Sequence, residues 1–278
     1  MGTDERGGNS DASSVQASVA VGFLLRGADA NWLNSAHRFL ASYRAHPAGH
    51  LHEPHVMLKG FSDEVALADI AEHFREEGFA VRHLDDDGFD IMAYTRWARE
   101  LPSDYICVLN SHSEILADNW LSKFMRNLVR NGIAMASATA SFESLGNIWP
   151  EFPRFPNVHL RSNAFCIRRE LFIQAAGDAR IKNKFDAFFF ESGPKSITAK
   201  LLAAGKRVAV VGRDGRAYGP RYWPFSGTFR QGTQSNLLVA DNVTRTYDEA
   251  DLSEKVRLAG MTWGPYLNED YPLPDRTK

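Results

Sequence analysis

Cysteine is almost missing from this chain: there are two, Cys107 and Cys166, each inside an apolar stretch. Two thiols so placed read as buried and free in a reducing compartment, which excludes a disulfide framework and a cysteine-based zinc site. An excess of charge of one sign is also missing, with 32 Lys and Arg against 34 Asp and Glu. That balance excludes a surface built as a whole for nucleic acid or an anionic membrane and leaves only local basic patches. No uncharged apolar run approaches the ~20 residues that span a bilayer. Met1 to Gln16 lack the apolar centre of a signal peptide, so the expectation is a soluble, cytoplasmic protein. Gly-x-Ser-x-Gly and phosphate-loop patterns are absent, and Gly212, Gly215 and Gly219 miss the spacing of a dinucleotide fingerprint.

What is present is a chain of 278 residues, 44% hydrophobic, long enough to bury a large core. Residues 1–17 are rich in Gly, Ser, Asp and Asn with little to bury, and read as a disordered leader. From Ser18 to Gly212, short apolar runs alternate with segments of helical period, the pattern of a layered α/β sheet with helical crossovers. Strands are expected at Ser18 to Leu25, His55 to Lys59, Phe79 to Leu84, Tyr105 to Leu109, Ile133 to Thr139, His159 to Ile167 and Arg207 to Val211. Helical stripes fall on Trp32, Ala36 and Leu40, on Leu67, Ile70 and Phe74, and on Trp120, Phe124 and Leu128. A further helix has a start signal in Ser192, Gly193 and Pro194 and a stop at Gly205. Residues 213–278, rich at first in Gly, Arg and aromatics, are expected to form a loop or lid on a single domain spanning 18–278.

Ligands of open α/β sheets bind at the carboxyl ends of the strands, so polar residues directly after a strand are the candidates for chemistry. Asp85, Asp86, Asp87 and Gly88 follow one strand and read either as a solvated acidic turn or as part of a site. Asn110, Ser111, His112, Ser113 and Glu114 follow another, and they suit a phosphate or, through His112, a metal. Glu191 lies between Phe188 to Phe190 and the expected helix start. There it either complements the helix dipole or acts as a general base tuned by its aromatic neighbours. His46, His50, His52 and His55 suggest a metal cluster by count, but Pro47, Gly49 and Pro54 make a solvated connection the better reading.

Taken in order, these segments resemble the nucleotide-sugar-dependent glycosyltransferases of the GT-A fold, family 2. Tyr105 to Leu109 followed by Asn110-Ser111-His112 and then Trp120-Leu121 is similar to the family's Asp-x-Asp strand, loop and helix. Gly88 and Arg96 match an upstream glycine and an Arg-bearing helix. Asn163, Ile167, Arg168 and Arg169, then Phe185-Asp186, Glu191-Ser192 and Gly205-Lys206 match later units. The resemblance covers Ser18 to Gly212 and implies a three-layer αβα sandwich with a mixed, mostly parallel central sheet. It also implies an inverting transfer, of hexosyl or deoxyhexosyl type, from a nucleotide-diphosphate sugar to a hydroxyl of a glycan or glycolipid, as in polysaccharide biosynthesis. No nucleic acid and no transmembrane segment are expected, and peripheral membrane association fits such acceptors.

The departures bear on mechanism. Asn110 and His112 stand at the two Asp-x-Asp positions, and no histidine follows His159. The family's Mn²⁺ or Mg²⁺ would therefore rest on His112, or the chemistry runs without metal. Ser192 stands at the family's general-base aspartate, leaving Glu191 as the catalytic candidate. The donor is then expected to meet Arg26, Asp87, Arg96, Asn110, Ser111 and His112. Arg213 and Arg230, or Arg216 and Arg221 nearby, supply guanidinium forks for the diphosphate. Tyr222 and Trp223 offer rings to the acceptor. Two rival readings are a glycosyltransferase-like domain that binds without turnover, and a nucleotidyltransferase, for which the loop Arg26 to Asp29 is a thin signal.

Overall fold

The computed structural model describes residues 17–177, 179–268 and 270–271; the first sixteen residues of the expected leader lie outside them. The chain runs β1 (Val19–Arg26), α1 (Trp32–Ala45), β2 (Glu53–Lys59), α2 (Glu64–Glu76), β3 (Ala80–Leu84), α3 (Phe89–Glu100) and β4 (Tyr105–Leu109). It continues through β5 (Glu114–Ile115), α4 (Trp120–Arg130), β6 (Ile133–Ser137), β7 (Ala140–Ser141), β8 (His159–Leu160), β9 (Ala164–Arg168), α5 (Arg169–Ala176), α6 (Lys184–Ser192), α7 (Ile197–Ala203) and β10 (Arg207–Val211). Last come β11 (Ala217–Tyr218), β12 (Val239–Ala240), α8 (Asn242–Glu249) and α9 (Leu252–Trp263).

Eight strands form the main sheet in the order β11-β10-β6-β9-β4-β1-β2-β3. β3, β2, β1 and β4 are mutually parallel, as are β6 and β10, while β9 and β11 run against their neighbours. This is the expected three-layer αβα sandwich with a mixed, mostly parallel sheet. Strands covered on both faces must be apolar on both, and β1 shows how. Val19, Val21, Phe23 and Leu25 pack under α1, α2 and α4, whereas Ala20 and Leu24 face α3, α5 and α7. At Gly22 a Cβ would come within 2.8 Å of Trp97 and Met57, so glycine lets that indole lie directly on the strand. Cys107 and Cys166 are buried free thiols facing each other across the β4–β9 ladder.

Three expectations change. The run from His159 to Ile167 is two strands, because Arg161, Ser162 and Asn163 leave the ladder between β8 and β9. Ser192 ends α6 instead of starting a helix; Ser196 caps α7, its hydroxyl accepting from the Ala199 N–H at 3.2 Å. Residues 213–271 are not a bare lid. They carry two helices and bury Trp223, Phe229, Trp263 and Tyr266 in the same core as α3 and α5. Among the described residues no helix is long and apolar enough to cross a membrane.

Candidate functional site

The carboxyl ends of β1, β2 and β4 open into a cavity of about 1020 Å³, lined among others by Arg26, Asp29, Lys59, Asp86 to Asp90, Asn110 to His112, Arg180, Ile181, Lys182 and Lys184. Its floor is a charge network. β2 ends on Lys59, whose side chain is 1% exposed and whose ammonium donates to the backbone oxygens of Asp87 (3.3 Å) and Phe89 (3.1 Å) and lies 3.3 Å from Asp86. β1 ends on Arg26, which grips the Asp86 carboxylate with Nε and Nη2 (2.9 and 2.7 Å) and reaches Asp29 at 3.2 Å. The Arg26 guanidinium, with help from Lys59, holds the Asp86 carboxyl below the usual carboxylate range. Two strand ends thereby fix the β3–α3 turn, where Gly88 and Phe89 both take positive φ (61° and 54°). For phenylalanine this is a strained conformation, of the kind that clusters at functional sites.

Behind that turn stands Asp90, in the first turn of α3. It lines the cavity, is half-buried and has no hydrogen bond or ion pair among the described residues. Burial pushes its pKa up to about 6 against the pull of Lys59, and neighbouring Asp29 and Glu191 add to the rise. Sequence reading missed this residue; its signal was a carboxylate two positions after a glycine turn at a strand end.

On the opposite wall, the Asn110 amide oxygen accepts from the backbone N–H of His112 (3.1 Å) and from Ser113 Oγ (3.0 Å), closing a turn on itself. Arg245 of α8 donates to the His112 backbone oxygen at 3.0 Å and to Glu114 at 3.1 Å. The loop is thus clamped, and His112 lines the cavity. Burial lowers the His112 pKa, so the ring is neutral at neutral pH. His112 also lines a second, polar cavity of about 400 Å³ between α1 and α8.

The residues present do not fit the divalent ion that the resemblance implies. Among the described residues no three His, Cys, Asp or Glu side chains gather to hold one. The Asn110 oxygen is already spent on its own turn. The four early histidines disperse as well: His46 pairs with Asp118 (2.8 Å), His52 with Tyr43 (2.7 Å), His50 with its neighbour's backbone (2.8 Å), and His55 is buried beside Trp97.

Of the residues picked from sequence, Arg26, Asp87, Asn110, Ser111 and His112 line this one cavity. Arg96 stands beside it, in a two-pronged pair with Asp87 (both bonds 2.6 Å). The others lie elsewhere. Glu191, in the last turn of α6, accepts from the Ser162 backbone N–H at 2.7 Å and from the Ser162 hydroxyl, beside a small apolar cavity. It is at the C-terminal, not the N-terminal, end of a helix. Arg213 donates to the Leu237 backbone (3.3 Å), and Arg230 to Glu143 (3.1 Å) and Thr262 (3.0 Å). Trp223 is fully buried, its indole N–H donating to the Tyr218 oxygen at 2.7 Å, so it has no face to offer an acceptor. Tyr222 is exposed beside Arg221, outside the cavity lining. The segment around Arg180, Lys182 and Lys184 at the cavity's edge was not singled out, because nothing local marks it as adjoining the β3–α3 turn.

No family model matches the sequence, and none of the curated proteins does. Among solved structures, the chain is similar to GalNAc-T7, crystallised with UDP, GalNAc and Mn²⁺, with a TM-score of 0.44 and 13% identity. That alignment covers 61% of this chain and 38% of that one, so the chain spans well under half of that protein. It is also similar to mouse xyloside xylosyltransferase 1 in its apo form, with a TM-score of 0.43 and 11% identity over 70% of this chain and 85% of that one. Likeness at this level carries no activity from those proteins to this chain.

Proposed function

We propose that the chain is a GT-A-type glycosyltransferase that moves a sugar from a nucleotide-diphosphate donor to a hydroxyl of a glycan or glycolipid, with Asp90 as general base. The observation that carries the reading is the cavity at the carboxyl ends of β1, β2 and β4, a strand-end crevice of ligand size whose wall holds a carboxylate with no hydrogen bond or ion pair among the described residues. In an inverting transfer the acceptor oxygen attacks the anomeric carbon from the face opposite the diphosphate. The bond from that carbon to the phosphate oxygen breaks, its electron pair leaves with the diphosphate, and Asp90 takes the hydroxyl proton. A carboxyl with a pKa of about 6 is ionised at neutral pH yet still a useful proton acceptor. Glu191, the candidate from sequence, has its carboxylate engaged by Ser162.

A second reading is favoured by one observation: the closed Asn110 turn and the engaged Glu191 are what a glycosyltransferase-like domain that binds without turnover would keep. The two separate in one series. Thermal shifts of the full chain with nucleoside diphosphates and nucleotide sugars identify the donor, since ligand at 100 times its Kd adds about 2.7 kcal/mol. Slow hydrolysis of that nucleotide sugar, lost in Asp90→Asn, supports the enzyme. Binding with no hydrolysis or transfer supports the binding domain, and no shift with any nucleotide overturns both.

A further inference from the structure

We propose that the donor's diphosphate is held without a divalent ion, by Arg180, Lys182 and Lys184 standing over the cavity. This rests on the donor reading above and adds to it the residues and the charge that the ion would otherwise supply.

Three observations meet here. First, among the described residues no three His, Cys, Asp or Glu side chains gather to hold an ion, and Asn110 has turned its oxygen onto its own loop. Second, the cavity's charges leave a cationic remainder. Arg26 and Lys59 are committed to Asp86, and Arg96 to Asp87. Arg180, Lys182 and Lys184 line the same cavity, are exposed, and form no ion pair among the described residues. The lining carries Arg26, Lys59, Arg180, Lys182 and Lys184 against Asp29, Asp86, Asp87 and Asp90, a net positive wall. A nucleotide-diphosphate sugar carries one negative charge on each phosphorus, the sign that such a wall attracts. Third, the segment is anchored where the charge is needed. Ile181 is 7% exposed and sits in the core, and its backbone oxygen would lie 3.3 Å from a Cβ at Gly88. The glycine therefore lets the 180–184 segment close against the β3–α3 turn. With Ile181 turned inward, Arg180 and Lys182 flank it at the cavity's edge; Asn183 caps α6, accepting from the Asp186 N–H at 3.0 Å, and Lys184 is that helix's first residue. Lysine supplies compact charge and arginine a two-pronged fork for phosphate oxygens.

Calorimetric titration of the full chain with UDP, GDP, ADP and dTDP, in EDTA and then with Mn²⁺ or Mg²⁺, tests this. The best diphosphate is expected to bind in EDTA, with less than about a threefold change in Kd on adding either ion. Arg180→Ala, Lys182→Ala and Lys184→Ala together are expected to weaken it by roughly 30-fold or more at unchanged Tm, and to flatten its salt dependence. Lys182→Arg with Lys184→Arg should keep the affinity. Binding that appears only with Mn²⁺ or Mg²⁺ overturns the metal-free site and leaves the donor reading standing. An undiminished triple variant overturns the assignment to these residues. Failure of every diphosphate under both conditions overturns the donor reading and this proposal with it.

Discussion

Two basic segments of this chain, residues 180–184 and 213–230, look alike on paper and end in opposite states. In the later one most of the polar groups are consumed internally, Arg216 and Arg221 being the exposed exceptions. Arg213 and Arg230 are tied to Leu237, Glu143 and Thr262, Tyr218 bonds Asp214 (2.7 Å), and Gln231 and Gln234 hold the turns at Gly227 (2.7 Å) and Arg230 (2.9 Å). Trp223 is buried at its centre. In the earlier segment Ile181 alone is buried, and three cations are left at a cavity edge. What makes a charged stretch a site is therefore not its charge alone but side chains that line a cavity and have no ion pair among the described residues.

The largest effect is expected at Asp90, the cavity carboxylate with no hydrogen bond or ion pair among the described residues. Asp90→Asn is expected to lower transfer by roughly 10²- to 10⁴-fold while leaving donor Kd within about threefold, read by initial rates and calorimetry. Normal turnover in that variant would remove Asp90 from the mechanism. The structural segment should respond in the other currency. Trp223→Ala is expected to cost about 3–5 kcal/mol of stability, seen as a Tm drop on the order of 10 °C, and a drop of only a degree or two would mean that the segment is not part of the core.

The pH dependence follows from Asp90 next. Its folded pKa is about 6, above the roughly 3.9 of an unfolded aspartate. The folded state binds the proton more tightly, so this group's contribution to stability is greatest at low pH and falls as pH rises from about 4 to 6. The change is roughly 1–3 kcal/mol. Asp90→Asn should flatten that part of the stability profile, and wild-type transfer should rise through about pH 6 as the carboxylate ionises. A profile unchanged by the substitution would show that Asp90 titrates normally.

How much of this was legible depended on how far apart the partners lie. β1, β4 and β10 could be read because strands buried on both faces are apolar at nearly every position, and β2 because Val56, Met57 and Leu58 make such a run between His55 and Lys59. Asn110 and His112 could be read because they directly follow such a strand. The β8–β9 break could not, since it comes from Arg161 to Asn163 leaving the ladder for partners such as Asp241, eighty residues on from Arg161 (3.0 Å). Ser192 looked like a cap because Gly193 and Pro194 follow it, yet Asn183 had already started α6 upstream. Arg26 and Asp86 are sixty residues apart, and the freedom of Asp90 is defined only by what fails to reach it.

Glu191 carries the next smaller expectation. Glu191→Gln should cost about 1–2 kcal/mol, because two hydrogen bonds from Ser162 lose a charged acceptor, and transfer should stay within about threefold of wild type. If transfer instead collapses while Asp90→Asn remains active, the base lies on α6 and the two carboxylates exchange roles.

The smallest effect is expected at Arg216, in the later basic segment. Its side chain is 81% exposed, and its nearest carboxylate, on Asp214, is 3.8 Å away. An exposed pair of that length contributes well under about 1 kcal/mol, so Arg216→Ala should move Tm by no more than about 2 °C. Because Arg216 lies outside the cavity lining, nucleoside diphosphate Kd should shift by less than about twofold, against the larger loss expected when Arg180, Lys182 and Lys184 are removed. Equal losses from both segments would mean that the diphosphate reaches across to residues 213–230, and that pairing within the chain does not separate a structural arginine from a binding one.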